Sequence, residues 1–292
     1  MLSITQIRVI LIIGLVQLMM ACTAVPSLRD SNQAVVSSEF SHEKFDQVLQ
    51  RHVDHQGRVD YTALKEQADD LEDYYYLVTQ YSPDSNPELF ADKNARLAYW
   101  INAYNAAAIK IVLEYYPISG VGDVTRPYAL FFVPGKWRFF VFHRPRFGNV
   151  ATNLYYLENS VIRKRYNEPR IHFAVNCASI GCPYLPRDAF TGPLLDQQLE
   201  KEARKFFSQQ RNFRINRQTK TVFLSSILDW YEDDFIEWLK IRYPKKQEHS
   251  LLDYVAHYVD VDTVKKLRGS ASGYRIQFIS YDWGLNDSKA QL

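Results

Sequence analysis

The chain of 292 residues is 47% apolar and 23% charged, a globular balance that excludes disorder for its body. Its formal charge of +2 is too small and too evenly spread for a nucleic-acid footprint, which needs a basic face. Twenty Tyr and seventeen Phe are a heavy aromatic load, able to bury large areas while the Tyr hydroxyls serve a polar interior.

The first residues read as an address. Arg8 precedes an apolar run from Val9 to Val16, and Gln17-Leu18-Met19-Met20-Ala21-Cys22 follows. A basic start, about ten apolar residues and a small residue before the cut describe a secretory signal. The run is shorter than the roughly 20 residues a bilayer span needs. Its ending resembles a bacterial lipobox, which implies that Cys22 is the lipid attachment site; the other reading is an ordinary cleaved signal with an incidental Cys. The expected layout is a signal peptide over 1–22, a polar tether over 23–40, one globular domain over 41–287 and a tail over 288–292. Thr23 rather than Asp after the Cys implies the outer membrane facing the periplasm, with the membrane as partner through the N-terminal lipid.

In the body, Phe45, Val48, Leu49 and His52 fall at helical spacing, and Asp54-His55-Gln56-Gly57 ends that helix in a turn. A second helix carries Leu64, Leu71, Tyr74, Leu77, Val78 and Tyr81 and stops before Pro83 and Pro87. Residues 97–113 hold a single charge, Lys110, so that helix is apolar on nearly every side and belongs at the centre of a domain. Strands are expected at 128–133 and 137–142, joined by Pro134-Gly135-Lys136 as a hairpin. A helix over 153–166 and a strand over 170–177 follow. Another helix runs from about Thr191 to Phe207, and 213–216 with 221–224 make a second hairpin. Ser225 caps a helix bearing Leu228, Tyr231, Phe235 and Trp238, Ser250 caps one through Val259, and 274–281 is a last strand. Irregular interspersion of helices and strands predicts an α+β fold: a mostly antiparallel sheet, a central buried helix and flanking helices.

Polar residues inside apolar segments are the clearest pointers to chemistry. Asn102 and Asn105 project near each other from the apolar helix, either to bind neighbouring backbone or to form part of a site. Glu158 falls within the apolar arc of Leu154, Leu157, Val161 and Ile162. It is either the ion-pair partner of Arg165 or a general base, or an acid that orients a histidine. As a strand, 170–177 would put His172 and Cys177 on opposite faces, so a direct dyad requires the following loop to turn back. For Cys177 and Cys182 four readings stand: a short disulfide, favoured by an oxidising compartment; a reactive thiol at Cys177 on a small-residue loop; inert buried thiols; and zinc held with His172, which lacks an evident fourth ligand.

Trp100-Ile101-Asn102-Ala103-Tyr104-Asn105, Leu157-Glu158, Pro169 through Ala174, Cys177 through Pro183, Trp230-Tyr231 with Asp234-Phe235, and Tyr281 through Asn286 together resemble the domain of unknown function 547 family, over roughly 45–287. Where relatives carry His-Gly after the Glu, this chain has Asn159-Ser160. The resemblance implies no settled reaction, but it implies that the Asn helix, Glu158, the His172 strand and Tyr281-Asp282-Trp283 share one site.

The resulting expectation is a thiol-dependent hydrolase or transferase of the cell envelope. Cys177 is the nucleophile, His172 the base and Glu158 its orienter. Asn102 or Asn105 donates to an oxyanion, and Arg170 and Asp282 are binding groups for a small-molecule or peptide ligand. No cofactor, metal or nucleic-acid partner is expected. The alternative is a non-catalytic structural or binding lipoprotein with a Cys177–Cys182 disulfide.

Overall fold

The computed structural model describes residues 23–24, 38–124, 134–268 and 273–289. Cys22, the signal segment, most of the tether and the expected strand at 128–133 lie outside them. Helices cover far more of the described residues than strands, in an α+β arrangement.

Helix α1 (Glu43–His52) buries Phe45, Val48, Leu49 and His52 along one face. The expected second helix divides in two. In α2 (Tyr61–Glu66) the Asp60 carboxylate caps Ala63 N–H, while α3 (Asp69–Gln80) starts with Asp69, Asp70 and Glu72 in its first turn. Acidic residues there complement the helix dipole, so a fresh start is favoured over continuation through Gln67 and Ala68.

Helix α4 (Lys93–Tyr115) begins where the Asp92 carboxylate accepts Ala95 N–H at 2.8 Å. Every residue from Leu97 to Leu113 is buried. Lys110 lies within that span and survives there by pairing with Glu72 and lying 5.6 Å from the centre of the Tyr75 ring. Fully burying one large apolar side chain contributes about 1.5–3 kcal/mol, so this span anchors the apolar cluster around it.

Residues 137–142 are helical, not a strand. Pro134 opens a short turn, Gly135–Trp137, that widens into a π-helical stretch, Arg138–Phe142, with Trp137 N–H and Arg138 N–H both donating to the Pro134 carbonyl. A run of aromatic and β-branched residues, Phe139-Phe140-Val141-Phe142 after Trp137, suits a strand. Proline at a helix start, with its fixed φ and its carbonyl free to accept, decides otherwise. Residues 154–166 do form a helix, but its middle, Leu157–Ile162, is also π-wound.

The expected strand over 170–177 is absent too. Pro169–Phe173 is a 3-10 helix with proline in its first turn and the Glu168 carboxylate accepting Arg170 N–H. Beyond it lie α5 (Leu195–Ser208), α6 (Ser226–Trp230), α7 (Glu232–Arg242), α8 (Leu251–Val255) and α9 (Val261–Arg268). The Ser225 hydroxyl accepts Ile227 N–H at the start of α6, and Ser250 with Asp253 forms a capping box at α8.

One sheet has three strands: β1 (Phe213–Asn216), β2 (Thr221–Ser225) and β3 (Arg275–Ile279). The first pair is antiparallel, with Phe213 opposite Leu224, and the second is parallel, with Thr221 opposite Arg275. The sheet is therefore mixed rather than mostly antiparallel, because β3 returns by a long helical connection instead of a hairpin.

Two apolar clusters result. One surrounds α4; the other is built from α5, α6, α7, α8 and the inner face of the sheet. The turn at 169–175 is shared between them: Ile171 and Ala174 enter the first, Phe173 the second.

Candidate active site

His172 stands on that shared turn and is only 2% exposed. Its Nε2 lies 2.7 Å from Asp234 Oδ2. Asp234 sits in the first turn of α7, and Arg163 clamps it from the other side, Nε to Oδ2 at 2.7 Å and Nη2 to Oδ1 at 2.9 Å. Burial alone would raise this carboxyl, yet the His172 and Arg163 bonds hold it down at about 2. Asp234 is thus a carboxylate acceptor, and His172 Nε2–H must be the donor. The lone pair of the neutral ring then falls on Nδ1, a buried atom with no hydrogen-bond partner among the described residues. Burial lowers the imidazole below its ordinary 6.5, the Asp234 bond opposing it, so the ring is poised as a base.

Tyr231 joins this group to Glu158. At the break between α6 and α7 its ring stacks on His172, 4.0 Å between centroids, and its hydroxyl donates to Glu158 Oε1 at 2.5 Å. The Tyr104 hydroxyl, from α4, donates to Oε2 at 3.1 Å. Burial and the nearby carboxylate push both phenols up, so they remain protonated donors. Glu158 is turned inward from the π-wound stretch, and extra windings of this kind recur at functional sites.

The two body cysteines form the third group. They are free thiols with Sγ atoms 2.7 Å apart, and the Tyr281 hydroxyl is 3.2 Å from Cys177 Sγ and 3.0 Å from Cys182 Sγ. Cys177 N–H points to Cys182 Sγ at 3.1 Å. The hydrogen bond to Cys182, with burial, raises the Cys177 thiol. Cys182 is raised by burial but lowered further by donors from Cys177, Tyr281 and main chain. Cys182 is therefore the better-stabilised thiolate, and half-buried Cys177 the more accessible sulfur. Ala178 follows at φ +64, a left-handed conformation a non-glycine residue adopts at a cost of about 1 kcal/mol or more. Asn176 holds this bend, accepting Ala178 N–H and donating to the Pro183 carbonyl, both at 2.8 Å.

Side chains of all three groups, His172, Glu158, Cys177 and Cys182 among them, line one cleft of about 590 Å³, while Asp234 borders a neighbouring groove. The exposed rings of Trp137, Tyr155 and Trp230 border the cleft, Trp137 beside Tyr155 and Trp230 stacked on half-buried Trp283, with Lys136 5.2 Å from the Trp283 ring centre. A groove of about 710 Å³ elsewhere, lined from within 39–50, 89–95 and 188–201, holds none of these groups.

The structure thus brings Cys177, His172 and Glu158 to one cleft, but it revises their relations. Asp234, not Glu158, orients His172, and Arg165 pairs with Asp84 instead of Glu158. Asn102 and Asn105 do not line the cleft. Asn102 exchanges hydrogen bonds with the main chain of Phe190, while Asn105 donates to the Ala174 carbonyl and accepts Asn176 N–H, so neither amide is free for an oxyanion. Arg170 is held by Glu168 and Asp196, and Asp282 by Gly284 N–H in a turn; both lie outside the cleft. Among the described residues His172, Cys177 and Cys182 do not converge as a metal-holding cluster.

The sequence assigns no role to Asp234, Arg163, Tyr104, Tyr231 or Tyr281: Tyr104 and Tyr281 enter the site only as parts of the implied blocks, and Tyr231 and Asp234 only as part of the resemblance. Asp234 opens a helix, where acidic residues are expected for the dipole alone, and a tyrosine among twenty carries little signal.

No curated protein matches the chain, and no solved structure does either. Residues 89–207 match the family described as "Protein of unknown function, DUF547". That span is shorter than the resemblance over 45–287: it includes α4, Glu158, His172 and both thiols, and it ends before Trp230, Tyr231, Asp234 and Tyr281. Similarity to the DUF547 family is therefore established for the part of the chain that carries the thiols and the imidazole, while the carboxylate that orients the imidazole comes from beyond it.

Proposed function

We propose that this chain is a thiol-dependent hydrolase or transferase of the cell envelope, anchored through a lipid on Cys22. The observation that carries the catalytic part is His172, oriented by Asp234 and with its Nδ1 unpartnered among the described residues, in the same cleft as the Cys177 thiol. In the proposed step Cys177 Sγ turns from Cys182 toward the imidazole and gives its proton to Nδ1. The sulfur bonds to an acyl carbon, and the leaving group departs with the proton from Nδ1. Water or another acceptor then cleaves the thioester and restores the thiol. The Tyr281 hydroxyl, beside Cys177, is the donor at hand for the developing oxyanion. Glu158 binds substrate polar groups at the cleft wall.

The test uses p-nitrophenyl acetate as acyl donor, with peptide mapping for the acetyl group. The expected result is a p-nitrophenol burst with acetyl on Cys177, absent in Cys177→Ser and slowed about 100-fold or more in His172→Gln. Acetylation at Cys177 that is indifferent to His172→Gln would remove the base from the scheme.

The second reading is a non-catalytic envelope lipoprotein with a structural Cys177–Cys182 disulfide, favoured by the sulfur–sulfur approach of 2.7 Å. It predicts a quantitative internal bond in unreduced protein as isolated.

A further inference from the structure

We propose that Cys177 and Cys182 form a reversible redox pair that exchanges with low-molecular-weight disulfides and so switches the cleft between a dithiol and a disulfide state. This regulates the site proposed above and rests on that reading only for its effect on activity; the exchange itself needs no catalytic role.

The two sulfurs touch although five positions separate them, because the chain bends at Ala178, φ +64, and again at Gly181. The bend is held from outside: Arg211 donates to the carbonyls of Ile180 and Cys182, and Gly181 N–H donates to the Asp282 carbonyl. A rigid frame that keeps two thiols in contact lowers the entropy cost of joining them. The thiols also differ in access. Both border the cleft, but Cys177 is half-buried while Cys182 is only 3% exposed. Such an arrangement assigns entry to Cys177 and resolution to Cys182. Tyr281, hydrogen-bonded to both sulfurs, stabilises whichever carries charge during the exchange.

The steps balance. The Cys177 thiol attacks one sulfur of the external disulfide, forms a mixed disulfide and releases the first external thiol with the proton. Cys182 then attacks Cys177 Sγ, closes the internal bond and expels the second external thiol. Two electrons pass from the pair to the external disulfide. In the closed state the Cys177 sulfur is no longer nucleophilic.

Both thiols fall in one tryptic peptide, residues 171–187, bounded by Arg170 and Arg187 and separate from Cys22. The experiment equilibrates the full chain in mixtures of reduced and oxidised glutathione at pH 7, quenches in acid, alkylates and maps that peptide. Expected is a smooth passage from two alkylated thiols to one internal disulfide as oxidised glutathione rises, reversed by the reduced form. In Cys182→Ser a single glutathione stays on Cys177. In Cys177→Ser, Cys182 takes none while the protein is folded. Tyr281→Phe, which keeps the ring but removes the hydroxyl that stabilises the reduced sulfurs, moves the midpoint toward less oxidised glutathione. Thiols that remain fully alkylatable across the series overturn the switch, as does a bond that reduced glutathione never opens. Failure of acyl transfer with intact exchange would instead remove the catalytic reading and leave the redox pair standing.

Discussion

His172 and Asp234 tie the candidate chemistry to measurable pH behaviour. The imidazole is lowered below 6.5 by burial, so the unfolded chain takes up this proton first and stability declines as pH falls through that range. Asp234, held at about 2 against an ordinary 3.8, contributes stability that is complete above 3.8 and lost as pH falls through 2. The group is partly exposed, so after solvent screening its share is on the order of 1–2 kcal/mol. Asp234→Asn is therefore expected to unfold more easily at pH 7 by about that amount. Its deficit relative to the parent should narrow as pH drops from about 4 toward 2. Urea titrations across that range check the trend, and a constant deficit would mean the carboxylate charge is not what holds the pair. In NMR the His172 ring should titrate below 6.5, and lower still in Asp234→Asn, where the opposing acceptor charge is gone. At this scale the sequence disclosed His172, Cys177 and Glu158 as polar groups on apolar runs. It carried Asp234 only within the family resemblance and with no role, because a carboxylate opening a helix needs no other explanation.

Helix α4 acts through its two asparagines, which staple separate irregular segments to the core. Asn105 holds the 169–176 turn at Ala174 and Asn176, and Asn102 holds Phe190. Asn105→Ala leaves one buried carbonyl and one buried N–H unpaired, at about 1–3 kcal/mol each. The expected loss is about 2–5 kcal/mol in a urea titration, with Cys177 alkylation faster because Asn176 and the bend beyond it are released. Asn102→Ala should cost a similar amount and leave the alkylation rate unchanged, since Phe190 lies away from the cleft. Equal alkylation in both variants would argue that Asn105 does not position the thiol loop. The apolar span of α4 was legible from composition alone. The 3-10 turn carrying His172 was not: a run of five apolar and polar residues fits strand alternation as well as a tight helix, and the choice fell to Pro169, the Glu168 cap and the partners Asn105 supplies.

For the molecule as a whole, the cleft lies where two apolar clusters meet, the kind of seam at which ligand sites are preferentially found. It draws on α4, the thiol loop, α6 and the Tyr281 segment, elements far apart in the chain. Among the described residues no helix is long and apolar enough to cross a membrane. The proposed attachment is through Cys22, and Cys22→Ser is expected to move the protein from the membrane to the soluble fraction of disrupted cells. Retention in the membrane would place the anchor elsewhere.

By itself the sequence determined the α+β class, the apolar span at 97–113 and a set of polar residues too costly to bury without partners, because periodicity and desolvation act on short stretches of chain. Which partner each polar residue meets was decided only in three dimensions. Glu158 finds two tyrosines rather than Arg165, His172 finds Asp234, and both asparagines find main chain. Hydrogen bonds between groups 50 to 100 positions apart leave no trace in local spacing, and it is those bonds that select the chemistry of the cleft.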